Sequence, residues 1–418
     1  MVGSRFMAEQ KSLASAAPLF LVLFIDGMGL SLLFPIVNSI IIQQNSHMLA
    51  VSTPLSEREF LYGLIIGIYM ICWFFGAAIM GDLSDASGRK KSLLLCLLGA
   101  CIGYVLSGIA VNISSITLLV LGRVVAGFTA GSQPIAQAAI VDVSSEEHKA
   151  RNIGYILFAV SLGFVIGPLI GGVLSDSKWV SWFNYSTPLY FAAIISLINA
   201  FLLQWLFKET HVQKERIKIR FSRAITVFIE AFRHHRIRNL SLVMLIMIFG
   251  WASYYTFIPL YLLEKYHYST LWVSYFMATL GVGFGIGCGF IVDYSSRRFN
   301  NKTNVIVGCM VAALFVLLVV VVPSQIAAWF FTVVIGAAVV TAYSILITLF
   351  SDQVSEEEQG WVMGVTGSIM ALCFGITSFL TGVVVEGGAD LPLILSVIGL
   401  FLAGCLLVSV KLSSLAGA

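Results

Sequence analysis

Twelve stretches of this chain are long and apolar enough to cross a lipid bilayer as helices, and that pattern excludes most other folds before any motif is read. They fall at roughly 17–43, 60–81, 92–112, 116–142, 150–175, 187–207, 240–263, 270–293, 304–323, 326–350, 360–385 and 391–410. Backbone N–H and C=O groups inside hydrocarbon must be bonded within their own segment, so the stretches predict helices. Barrel strands would alternate apolar and polar residues over about 10 positions, and these segments do not. The first stretch is too long for a signal-peptide core and reads as a retained helix. Composition agrees: 59% of the 418 residues are apolar and 11% charged, against about 25% charged in an ordinary soluble domain. A soluble enzyme is thereby excluded. The net charge of +3 offers no basic field for nucleic acid. The seven cysteines all lie in apolar stretches and read as small buried hydrophobes. No Cys/His spacing points to a metal, and no cofactor is expected.

Lys and Arg set the orientation. With the N-terminus inside, the inward loops collect Arg5 and Lys11, Arg89 to Lys91, Lys149 and Arg151, the basic connection 208–238, Arg297, Arg298, Lys302 and Lys411. The outward loops hold only Arg58, Lys178 and Lys265. Both termini are therefore expected in the cytoplasm. Trp179, Trp182 and Tyr185 in an outward loop read as interfacial anchors. The long connection divides the spans six and six: residues 1–207, a basic linker at 208–239, and residues 240–418. Phe, Ile and Val spacing in RFSRAITVFIEAFRHH suggests an amphipathic helix on the inner leaflet, against the plainer reading of a basic tether.

The halves repeat. Gly81, Asp85 and Arg89 follow the second span, and Gly289, Asp293 and Arg297 follow the eighth at the same spacing. Asp142 to Gly154 is matched by Asp352 to Gly364, and Pro35 by Pro259. Two parallel six-helix halves follow from such a repeat. The loop Gly81–Lys91 needs a glycine turn to reverse the chain, with Asp85 placed to face the positive end of the next helix. Arg89 can pair with neighbouring carboxylates, Asp142 and Asp352 being candidates. The cluster Gly81, Asp85, Gly88, Arg89, Lys90, Asp142, Asp293, Arg297 and Asp352 thus reads as a latch, closed in one conformation and broken in another.

In the fifth span Gly163, Gly167, Gly171 and Gly172 form a stripe on which another helix can pack closely, and Pro168 bends the helix. Away from the span ends only two ionisable side chains of opposite charge remain, Asp26 in the first and Arg123 in the fourth. From their respective membrane faces they lie about 14 Å and about 10 Å deep, near enough to meet if the helices are neighbours. Burial disfavours an ionised carboxyl and a nearby guanidinium favours it, so a balance of the two suits Asp26 to take up and release a proton. Asn38, Gln133, Gln137, Trp251, Tyr254, Tyr255, Tyr275, Tyr343 and Ser344 are candidates to line a mostly apolar central cavity. All six histidines fall outside the spans, and no phosphate-binding GxxxxGK[ST] loop is present.

GDLSDASGRKK resembles the signature loop between the second and third helices of the major facilitator superfamily, although Ala86 stands where a basic residue is usual. Arg123 and Gly127 resemble its fourth-helix pattern, and Gly163 to Gly172 the pattern of its antiporters. The resemblance spans the chain and is strongest to twelve-span drug/proton antiporters, including tetracycline exporters. It implies an all-α membrane protein of two pseudo-symmetric six-helix bundles, rocking around a mid-membrane site. The expected function is proton-coupled export of a small organic solute, carried out by a monomer in a bacterial inner membrane. Proton-coupled uptake or release of a metabolite, nutrient or siderophore is the alternative within transport. A non-transporting receptor of the same fold is the alternative outside it, and enzyme activity is not expected.

Overall fold

The computed structural model describes the backbone of residues 2–43, 48–142, 146–210, 221–355, 358–385 and 387–410. The basic run at 211–220, the side chains of Arg5, Lys11, Lys149 and Arg151, and Lys411 lie outside the described residues. Among the described residues every regular element is a helix. In chain order the spans are α1 (Ala17–Ile42), α2 (Leu55–Ser87), α3 (Arg89–Asn112), α4 (Ile116–Ile140), α5 (Glu146–Val173) and α6 (Thr187–Leu206). The linker contributes α7 (Ser222–Arg233). The second half holds α8 (Arg238–Tyr266), α9 (Thr270–Arg298), α10 (Asn301–Val321), α11 (Gln325–Ser351), α12 (Gln359–Phe379) and α13 (Asp390–Ser409). Eleven of these qualify as membrane spans by length and hydropathy; α5 completes the twelve expected, with Phe158–Val173 its apolar part.

The sequence repeat becomes a packing repeat. In the first half α1 packs on α5, α3 on α4 and α6, and α2 on α4; in the second half α8 packs on α12, α10 on α11 and α13, and α9 on α11. The seam between the halves is made by a matching pair of contacts, α5 with α9 and α2 with α12. Leu95, Ile102, Phe201, Val307 and Phe401 stay exposed on the outside. A water-facing surface would not tolerate such residues in numbers, whereas acyl chains do.

The spans run further into polar sequence than hydropathy alone suggests. GDLSDAS is helical to Ser87, and the chain reverses at Gly88 alone, with φ of +100°. Gly88 is the glycine turn expected in this segment, while Gly81 sits inside the helix with open space around it, so the loop is shorter than the expected Gly81–Lys91. Asp85 bonds the side chain of Arg89, the first residue of α3, at 2.8 Å and caps none of that helix's backbone amides. That helix end is capped from 120 residues away by Glu209, whose carboxylate accepts from the backbone N–H of Arg89 at 2.8 Å and of Lys90 at 3.1 Å. A carboxylate across two free amides is the favourable partner for a helix N-terminus.

Glycines set the distance between α1 and α5. A Cβ at Gly163 would lie 2.5 Å from the Phe24 carbonyl oxygen, at Gly167 2.7 Å from that of Met28, and at Gly171 2.6 Å from that of Leu32. Gly27 answers from α1, where a Cβ would lie 2.6 Å from the Val160 oxygen. Ser31 Oγ closes the joint by reaching the Gly163 carbonyl at 3.2 Å. Gly172 points the other way, against Ser274 of α9 across the seam. Three glycines of the stripe therefore serve a contact within the first half and the fourth serves the seam.

Gly163→Ala should lower the stability of the solubilised protein by about 1–3 kcal/mol, because the new methyl meets backbone. Gly285→Ala, in a helix with open space around it, should be neutral or mildly stabilising. Thermal unfolding of the two variants side by side in one detergent checks the difference.

Candidate functional site

Helix α4 is interrupted at the turn Ala130–Gly131, and its second half begins at Ser132. That break brings a half-helix start into the middle of the first bundle. Ser132 Oγ lies 2.9 Å and 2.8 Å from the two carboxylate oxygens of Asp26, so its one proton is shared between them. A half-helix N-terminus carries partial positive charge, which suits a carboxylate held there. Asp26 is only half-buried among its neighbours on α1.

Arg123 lies on the first half of α4, 3% exposed. It forms no ion pair with Asp26, although the sequence places the two at similar depth. Its guanidinium instead sits over the ring of Tyr69 from α2, 4.2 Å from the centroid, and Nη1 is buried without any hydrogen-bond acceptor. Tyr69 and Tyr104 both lie within electrostatic reach of Asp26 and of Arg123. The four side chains thus form one neighbourhood with the opposite charges kept apart.

Beside Arg123 is a cavity of about 10 Å³ lined by Leu30, Leu33, Phe34, Val37, Ile65, Ile66 and Tyr69. None of the nine polar and aromatic cavity candidates from the sequence lines it. Asn38 instead donates to the Pro259 carbonyl at 3.1 Å, Tyr254 pairs with Thr332 at 2.9 Å, and Tyr343 reaches the Met370 sulfur at 3.8 Å. Tyr275 packs edge-on against Trp272. Trp251 and Tyr255 belong to an aromatic plug on the seam. Tyr255 meets Phe34 at 5.0 Å, Phe164 at 6.1 Å and Phe374 at 6.1 Å, and Phe284 joins Phe164 to Trp251. The plug draws on α1, α5, α8, α9 and α12, and its phenylalanines are not distinguished in sequence among the chain's 30.

The two ends of the seam differ. At the Arg58 end the halves are tied by Tyr62 Oη to the Thr256 carbonyl at 2.8 Å, by Asn38, and by Ser39 with Thr270 at 2.5 Å. Arg58, expected only as a loop charge, is 1% exposed and donates to the carbonyls of Ile41, Gln43, Ala50 and Thr53. It gathers the α1–α2 connection beside that closed end. At the Arg89 end Gly81, Gly289, Gly360 and Gly364 face open space. Arg89 bonds Asp85 at 2.8 Å and Asp142 at 3.5 Å within its own half, while Arg297 bonds Asp293 at 2.9 Å in the other. Asp352 joins neither arginine, and burial raises its carboxyl above the ordinary aspartate range. Lys90 reaches the Gln204 carbonyl at 2.7 Å. The latch is thus two separate clusters and does not hold the halves together here.

The linker helix bridges them instead. Ala224 and Ala231 of α7 are buried, Phe228 meets Phe74 of α2 at 6.4 Å, and Arg223 pairs with the nearly buried Asp82 of α2. Its far side touches α12 and α8, with Ser241 bonded to the Ala231 carbonyl at 2.9 Å. At its end His234 lies 3.8 Å from Glu358, stacks on His235 and meets Trp361 at a tilt, around a crevice of about 510 Å³. The predicted amphipathic helix is present. Part of its apolar arc is spent on protein and only Phe221, Ile225 and Ile229 remain uncovered.

The model of the Major Facilitator Superfamily matches residues 19–378. The chain is similar to the class C tetracycline resistance protein of Escherichia coli, 26% identical over 313 residues covering 74% of this chain and 76% of that one. It is also similar to the quinolone resistance protein NorA of Staphylococcus aureus (strain MRSA252), 24% identical over 354 residues, with 84% and 87% covered. Among solved structures, the human organic anion transporter MFSD10 (TETRAN) superposes with a TM-score of 0.71 at 18% identity, covering 95% of this chain and 99% of that one. A D-xylose-proton symporter does so with a TM-score of 0.74 at 15% identity, with 95% and 97% covered.

Breaking the Arg223–Asp82 pair should loosen the linker. In membranes, Asp82→Ala and Arg223→Ala should each speed tryptic cleavage within the linker several-fold. The exchanged pair Asp82→Arg with Arg223→Asp should restore slow cleavage; equal rates in all four proteins would show that the ion pair does not hold the helix.

Proposed function

We propose, from the premise that this chain belongs to the Major Facilitator Superfamily and is a membrane transporter of small molecules, that it exports an organic solute in exchange for protons. The observation that carries this reading is Asp26: a carboxyl at mid-span, held by one serine hydroxyl at a helix break and free of any cationic partner. Such a group changes charge without dismantling an ion pair. When Asp26 is ionised, the Ser132 hydroxyl and the half-helix N-terminus stabilise it. When it is protonated, those same groups lose a charge-assisted bond and the carboxyl tolerates a drier surrounding. Occupancy by a proton therefore alters how tightly α1 is held to α4, which is the coupling that antiport requires.

Rocking of two halves, residues 1–207 against 240–418 with 208–239 between them, would expose Asp26 in turn to each side. Of the glycine stripe of α5, Gly172 lies on the seam against Ser274 of α9, where its small size keeps the pivot helices close, while Gly163, Gly167 and Gly171 lock α5 to α1 so that the first half turns as one body. Export is favoured over uptake by that stripe, whose pattern is the antiporter one, and by the named activities of the tetracycline and quinolone resistance relatives. We place both termini and the Arg89 end in the cytoplasm of a bacterium with the protein in its inner membrane, working as a monomer. On that orientation the conformation is closed outward, and the linker lies under the cytoplasmic opening.

Asp26→Asn should abolish substrate movement driven by a pH gradient in reconstituted vesicles while leaving expression and gradient-independent exchange intact. Ser132→Ala should leave transport in place and move its pH dependence, since the hydroxyl favours the ionised carboxyl. Full gradient-driven transport by Asp26→Asn would end the proposal, and solute and proton moving the same way would turn it to symport.

A further inference from the structure

The guanidinium of Arg123 is a buried cation without a counter-charge from the protein. Leaving a charge in that condition costs several kcal/mol even after relaxation. The Tyr69 face offsets only part of that cost, and Asp26, a carboxylate in electrostatic reach, is committed to Ser132. Nη1 has no acceptor. The cavity beside it is walled by hydrocarbon and by the rings of Phe34 and Tyr69, with Arg123 and Tyr69 its only polar side chains. In volume it would hold about one water, but a buried water usually makes about three hydrogen bonds, and this lining offers few partners. A group that only accepts, carries negative charge and presents an apolar flank is the complement of that lining.

We propose that Arg123, Tyr69 and this cavity form a subsite for a singly charged anion, the carboxylate end of the carried solute being its occupant. Arg123 meets a carboxylate through a planar fork that suits two-point bonding. The aliphatic wall of Leu30, Leu33, Val37, Ile65 and Ile66 takes the apolar part of the solute as the cavity widens. Phe34 links occupancy to the seam, because it lines the cavity and also packs edge-on against Tyr255 of α8 at 5.0 Å. A solute that displaces Phe34 therefore disturbs the aromatic plug joining the halves. The inference rests on the transport reading for its solute, but the anion site itself is defined by this geometry.

The test is equilibrium binding to the full-length protein in lipid nanodiscs at constant pH, with no gradient. Benzoate and its uncharged isostere benzamide are titrated against thermal stability, and sodium chloride against sodium gluconate supplies the inorganic arm. Benzoate should stabilise saturably with a midpoint at least tenfold lower than benzamide. Arg123→Gln should erase that preference and Arg123→Lys keep part of it. Chloride that stabilises and competes with benzoate upholds the anion site and makes a free inorganic anion its occupant. Equal action of benzoate and benzamide on the wild-type protein, which needs no variant to fold, overturns the subsite, as does an undiminished benzoate preference in Arg123→Gln. Failure here alongside intact gradient-driven transport removes the subsite alone; intact benzoate binding with uncoupled transport removes the Asp26 reading alone.

Discussion

Two opposite charges held apart in the low-dielectric middle of one helix bundle make the strongest demand in this molecule. A contact pair between Asp26 and Arg123 would be the cheapest way to bury both. The fold instead gives each a substitute that is weaker than an ion. Asp26 receives a hydroxyl at a helix break, and Arg123 an aromatic face and a void. The break in α4 is what permits this: an unbroken helix would have no free N-terminal half-turn to offer at mid-depth. Charges kept on partial partners respond to a proton or an anion, whereas a closed pair would resist both. On the reading advanced here, the unfavourable burial is the source of the sensitivity.

The glycine contacts join α1 and α5 into one unit of the first half. Along α1 and α5 the closest atoms are backbone, so stability comes from many short contacts of low corrugation rather than from interlocked side chains. The seam is different. At the Arg58 end it is fastened by directional hydrogen bonds from Asn38, Ser39 and Tyr62, and in the middle by a plug of aromatic edges and faces. At the Arg89 end the two halves meet largely through α7. A linker whose cost in chain entropy is already met by its covalent attachment to both halves is a mild clasp. It spans the gap without the permanence of a packed helix pair.

The spans, their number, the six-plus-six division and the internal repeat were legible in the sequence because each is a property of one segment or of two segments compared. Hydropathy marks a span, and the spacing of Gly81, Asp85 and Arg89 marks its copy at Gly289, Asp293 and Arg297. The stripe from Gly163 to Gly172 was legible as a close-packing face, though not which helix it would meet. Long-range pairings were not legible. Nothing about Glu209 says that it will cap α3, and nothing about Arg58 distinguishes a clamp on four carbonyls from a charge in a loop. Asp26 stood out by its charge, but its partner Ser132 is an ordinary residue until the break at Ala130–Gly131 is seen. The cavity candidates were picked on a different property from the one that lines the void beside Arg123. Polarity was the criterion, and the cavity found beside Arg123 is walled mainly by residues with no polar atom.

The same physics explains why the latch motif and the linker divide their labour. Arg89 with Asp85 and Asp142, and Arg297 with Asp293, are satisfied within their own halves. These clusters stay bonded whether or not the halves touch. An exposed pair of that kind is worth about 1 kcal/mol or less, too little to hold two bundles. It does keep each charge from seeking a partner across the gap. Asp352 is the member left over, exposed and joined to neither arginine. A carboxyl in that state is stabilised if an arginine from the opposite half approaches, so closing this end would gain a bond where its opening costs none. The asymmetry points one way. Closure at the Arg58 end rests on contacts already made, closure at the Arg89 end on a contact still available, and Asp26 and Arg123 of the first bundle lie between the two.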